Sequence, residues 1–196
     1  FGYLNDSDMR RDGGVMRAKQ KFVGDKKLDP EDGWIANANR EWDPTTGQLI
    51  RNPNSTDAAV EGTTIYDSGV INYINKFGQM TTQDHKSHDP VSELYYAAIR
   101  YLKKQGNVPE YTNLSGTSTQ RYNLADGFPV ITSWDDPIQY SCQNNAILGI
   151  GDANTHRDKN LPGNSVTTDE PSRPTSVTSG KTVNVVTATH KVAGLG

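Results

Sequence analysis

Apolar residues recur along the chain in short blocks between long polar stretches, and two of these blocks have helical spacing. Val70, Tyr73, Ile74 and Phe77 fall at i, i+3, i+4 and i+7, with Asp67 or Ser68 ahead of them as a side-chain cap and Gly78 behind as a stop. This spacing predicts a helix over 70–77. After a polar stretch, Asp89-Pro90 supplies a cap and then a proline at the first helical position, where its missing N–H costs nothing. Val91, Leu94, Tyr95, Ala98 and Leu102 then share one stripe, Glu93 suits the positive end, and Lys103-Lys104 suit the negative end before Gly106. A second helix is predicted over 91–104.

Strand signals are sparser. Trp34-Ile35 and Glu41-Trp42 lie ahead of Asp43-Pro44-Thr45-Thr46-Gly47, in which proline presets φ and glycine accepts a positive φ, so a β-hairpin is predicted between Trp34 and Ile50. It belongs to a hairpin and loop insertion over 33–62. Residues 14–24 form an amphipathic piece of unassigned type, and 107–132 reads as loop. Trp134-Asp135-Asp136-Pro137 repeats the Asp-Pro helix-start chemistry. The run Ala146-Ile147-Leu148-Gly149-Ile150 reads as a buried central strand with Asp152 at its carboxyl end. Residues 161–181 are a flexible Pro/Gly/Ser/Thr-rich loop, and 183–189 is an extended piece or a helix start. Helices alternating with a buried strand predict an α/β layer structure, in which ligands collect at the carboxyl ends of strands.

Charge narrows the range of partners. The formal net charge is -3 and no Lys/Arg-rich run occurs, so the footprint of a nucleic-acid or anionic-membrane binder is missing. No apolar stretch is long enough to insert in a bilayer. The start at Phe1, without an initiator methionine, is expected of a processed chain or a fragment. Cys142 is the single cysteine, which leaves two readings: a buried free thiol, or a disulfide to a cysteine outside the chain.

Candidate chemistry is confined to loops. Asp152, Asn154 and Asp158 space oxygen-bearing side chains as a calcium loop would, but Arg157 stands where an EF-hand needs glycine and no glutamate closes the loop. A solvated turn is the competing reading. His85 and His88, flanked by Asp84 and Asp89, could share a metal, although a second pair of ligands is not evident. Asp135 and Asp136 form a paired carboxylate, and Asp136 before Pro137 suits a helix cap better than an acid or base. With no nucleophile elbow, zinc-protease helix or phosphate loop, an enzyme is not expected.

Several blocks in order resemble the amino-terminal half of type IV pilus-tip adhesins of the PilY/PilC family. They are Arg11-Asp12-Gly13-Gly14-Val15, Lys21-Phe22-Val23-Gly24, Gly33 through Gly47, Ile71-Asn72-Tyr73-Ile74-Asn75-Lys76-Phe77-Gly78, Asp89-Pro90-Val91-Ser92-Glu93-Leu94-Tyr95-Tyr96, and Trp134-Asp135-Asp136-Pro137-Ile138-Gln139-Tyr140-Ser141-Cys142-Gln143. The resemblance implies a von Willebrand factor A-like layered sheet flanked by helices. Residues 1–196 would be an incomplete copy, lacking the Asp-x-Ser-x-Ser loop, and the family's carboxy-terminal β-propeller is absent from these residues. It also implies a divalent cation, Mg²⁺ or Ca²⁺, for which Asp89 and Asp152 are the first candidates and Asn154 and Asp158 further ones. Asp89 departs from the threonine usual in such domains, and Ala153 from the usual glycine.

The function implied is that of an adhesion module binding a host or abiotic surface ligand, with minor pilins or the pilus tip as partners. The alternative is a structural filament or pilus-assembly part that associates with copies of itself. Either way the address is the cell surface or pilus tip, reached by export through the oxidising periplasm.

Overall fold

In the computed structural model, which describes residues 1–6, 13–54, 56–57, 67–77, 88–151, 154–178 and 184–195, helices supply most of the regular structure. The chain divides into two units: Phe1–Val15, His85–Asn113 and Thr132–Gly196 form the first, and Met16–Asp84 with Leu114–Ile131 the second.

In the second unit, two turns share one sequence logic. Strand β1 (Lys26–Asp29) turns through Asp29-Pro30-Glu31-Asp32-Gly33 into the antiparallel β2 (Gly33–Ala36). Asp29 Oδ1 accepts the amides of Glu31 and Asp32, and Gly33 takes φ +71°. Asp43-Pro44-Thr45-Thr46-Gly47 repeats this chemistry: Asp43 Oδ1 accepts from Thr45 and Thr46, and Gly47 takes φ +72°. The longer ladder forms around the earlier turn, while across the later, expected turn the chain pairs through the Trp42–Leu49 bridge, with Asp43 N–H donating to Gln48 O and Ile50 N–H to Glu41 O.

Helix α1 (Val70–Lys76) forms as expected, but neither Asp67 nor Ser68 caps it. The buried Glu41 carboxylate does so from 29 residues away, accepting Val70 N–H at 2.9 Å and Ile71 N–H at 2.7 Å. The capping position is Gly69 at φ +95°, where a Cβ would press on that carboxylate at 2.8 Å. The buried face also differs from the apolar stripe. Ile74 and Phe77 are exposed, while Asn72 is buried because its amide donates to the carbonyls of Ile50, Arg51 and Ser68. Arg17 is buried in the same unit, donating to Ala125 O and Pro129 O, and burial lowers its proton affinity.

The stretch 107–132, expected as loop, holds two helices. Helix α3 (Pro109–Thr112) belongs to the first unit and α4 (Ser118–Ala125) to the second. A reciprocal capping box between Thr117 and Gln120 starts α4, and Asp126 in the left-handed region ends it.

In the first unit, α2 (Val91–Leu102) is the longest described element, and Lys104, at φ 53°, rather than Gly106 turns the chain away from it. Its buried residues are Glu93, Ala97, Arg100 and Tyr101, not the apolar stripe, and Tyr95 is exposed. Val108, Tyr111 and Val177, with Tyr96 against them, form a small core, Val177 coming from the short α5 (Thr175–Thr178) inside the expected 161–181 loop. Of the stretch 183–189, the described residues take the helical alternative: α6 (Val185–Ala193) starts at Asn184, whose side chain accepts Thr187 N–H, and residue 183 lies outside the described residues.

Three expectations for this unit are corrected. Residues 134–137 do not start a helix; Asp136 caps a local turn through Ile138 N–H and pairs with Lys104. Residues 146–150 form no strand, because nothing among the described residues pairs with them and Leu148 and Ile150 stand in solvent. Cys142 is exposed, which corrects the buried-thiol reading. Among the described residues the regular sheet is the β1–β2 pair alone.

Candidate functional site

Of the residues singled out as ligands, Asp89, His88 and Asp158 gather at the amino end of α2. Chain direction brings them there: Asp89-Pro90 leads into the helix, and the loop 154–160 lies across its first turn. Asp158 accepts Ser92 N–H on Oδ2 at 3.0 Å and Glu93 N–H on Oδ1 at 3.1 Å. Both of its oxygens thus fill the role expected of Asp89, and the negative charge sits at the positive end of the helix. Asp89 turns aside, its Oδ1 lying 2.9 Å from His156 Nδ1, with the His88 ring edge-on to His156 at 5.8 Å between centroids.

Glu93 locks this arrangement from beneath. It is fully buried, and its two oxygens accept Gly13 N–H and Asn160 N–H, each at 2.9 Å. Gly13 must be glycine here: its φ is +82°, and a Cβ would fall inside the Tyr111 ring. Asn160 passes the tie onward, its amide donating to Pro171 O at 2.9 Å. Lys159 donates to Thr168 O and pairs with Glu170, so the loop is stitched to 168–171 as well.

This geometry clamps a loop onto a helix. Among the described residues no group of three or more His, Cys, Asp or Glu stands close enough to share a metal ion. The described acids of the expected cation set are engaged with protein partners, Asp158 through two amides and Asp89 through an imidazole. Asn154 is described nearby in sequence, whereas Asp152 and His85 lie outside the described residues. The reading by residue type missed Glu93, Gly13 and Asn160. A carboxylate on the face opposite the apolar stripe carries no sequence mark that distinguishes a buried anchor from a solvated charge.

A second feature of this unit is an open apolar groove of about 930 Å³ between α2 and α6, lined by Tyr95, Tyr96 and Ile99 on one side and Val185, Ala188 and Val192 on the other. Among the described residues its lining contains Arg100 and Lys103 and no acidic residue. No helix among the described residues is long and apolar enough to cross a membrane.

The first unit thus combines a helix-anchored polar clamp with an apolar groove. The chain belongs to the family described as PilY1 homolog, second domain, whose model matches residues 1–195. It is similar to a type IV pilus biogenesis factor PilY1 homolog from Xylella fastidiosa (strain Temecula1 / ATCC 700964), 55% identical over 191 residues. That match covers 95% of this chain and 16% of the relative, so the chain spans about a sixth of that protein. No solved structure matches.

Proposed function

We propose that the chain is a non-catalytic module of a type IV pilus biogenesis factor, exported to the cell surface or pilus tip, where it presents an adhesive surface. The observation that supports the pilus assignment is the family match over 1–195 together with a relative named for pilus biogenesis. The site agrees with it in kind. Its buried carboxylates are spent on backbone amides, and the exposed features are apolar side chains on α2 and α6, which suit contact rather than chemistry. Coordination of a divalent cation by Asp89 and Asp152, and a von Willebrand factor A-like layer completed beyond these residues, remain part of this proposal.

The relative's name supports a second reading, that the module serves pilus assembly. One experiment separates the two. The segment is deleted in frame from the full-length gene, and surface pili are counted alongside attachment of the bacteria to a surface. Intact piliation with lost attachment is the expected result. Loss of both assigns the segment to assembly, and retention of both sinks either role.

A further inference from the structure

The run 146–150 contradicts its own composition. Leu148 and Ile150 are 84% and 83% exposed, and Ile147 is 37% exposed. Taken into a strand, the run would place Leu148 and Ile150 on one side and Ile147 on the other, because residues two apart share a side. Among the described residues, the backbone of 146–150 makes no hydrogen bond. A Cβ built at Gly149 or Gly151 would meet nothing within 4 Å. Side chains, amides and the glycine flanks are all open.

Exposed strands are normally guarded by charge or proline close to the apolar positions. Here the sequence from Pro137 to Gly151 contains no charged residue, Pro137 stands nine positions before Ala146, and the one charge close by is Asp152, two positions after Ile150. Ile138 and Tyr140 add further exposed apolar surface at 42% and 50%. An apolar run with free amides, flanked by charge on its carboxyl side alone, is a template for pairing. The relative carries about six times the matched length, so most of its polypeptide lies outside the matched segment. The family description, a second domain, places further folded structure on the same polypeptide. A tethered partner acts at a high effective concentration and outcompetes a separate copy.

We infer that residues 146–150 are a donated β-strand that adds to the open sheet edge of another domain of the same full-length polypeptide, which covers Leu148 and Ile150. The partner is an edge strand offering free N–H and C=O groups and an apolar side, recognised as in β-strand addition generally. The inference does not depend on the adhesive reading.

Hydrogen–deuterium exchange followed by mass spectrometry tests it on peptides spanning 143–151, in the purified full-length protein and in the 196-residue chain. The expected result is fast exchange in the shorter chain and at least about tenfold slower exchange in monomeric full-length protein, a factor equal to about 1.4 kcal/mol of protection. Fast exchange in both, or equal protection in both, overturns the inference. Protection that appears in the shorter chain only as light scattering reports a dimer assigns the strand to a second copy and overturns it too. Gly149→Pro in the full-length protein removes one amide and should abolish protection of 146–150 while α2 peptides stay protected. Unchanged protection in that variant again overturns it, and if the variant does not fold, the wild-type comparison decides alone.

Discussion

Single carboxylates hold this chain together over long sequence distances. Glu93 reaches Gly13 and Asn160, Glu41 reaches the first amides of α1, and Asp158 those of α2. Each satisfies amides that a helix end or a buried loop would otherwise leave unpaired, and such charge-assisted bonds are stronger than neutral ones. Glu93→Ala strands two buried N–H groups and should cost at least about 2 kcal/mol. Asp158→Ala loses a cap and should cost about 1 kcal/mol. Thermal melts with calcium and with chelator separate structure from ligation: the Asp158→Ala loss should be the same in both. A loss seen only with calcium would make Asp158 a cation ligand.

Elements show where sequence reading succeeds and where it stops. Helix α2 was legible because Asp-Pro marks its start and the apolar spacing persists for three turns, yet its buried face was misread. Burial there follows hydrogen-bond partners: Glu93 sits under two amides, and Arg100 donates to Gln105 O and Gly106 O. The turn at 29–33 was legible in principle, since it has the same Asp-Pro-x-x-Gly pattern as 43–47, and Thr117-x-x-Gln120 announced α4. The cap from Asp158 was not legible, because no local pattern predicts a partner 65 residues away.

Three turn acids give a pH dependence at this scale. Asp29 and Asp43 are held below the ordinary 3.8 by backbone amides, and Asp136 first by its hydrogen bond to Lys104. A depressed folded-state value means stability is present above the unfolded value and is lost as pH falls through the folded one. Melting temperature should therefore drop on acidification below about pH 4, and Asp136→Asn should flatten that drop. An unchanged slope in Asp136→Asn would remove the Lys104 pair from the account.

At the level of the whole molecule, the exposed Cys142 lies four residues before the bare run 146–150. Free exposed thiols rarely persist in oxidising compartments. In the 196-residue chain Cys142 should label rapidly and quantitatively with a thiol reagent, whereas in exported full-length protein it should label only after reduction. Rapid labelling without reductant in the full-length protein would exclude a disulfide to an outside cysteine.

The interleaving of the two units sets an order of birth. A chain that emerges amino end first delivers the last residue of the second unit, Ile131, while the 132–196 segment of the first is still to come. The second unit can therefore close early, around a buried arginine and the capping box of α4. The first unit must wait, because Glu93 has no Asn160 to hold until the carboxy-terminal third arrives. Until then α2 lacks its clamp, so the first unit is the part of a growing chain that stays open to misfolding longest.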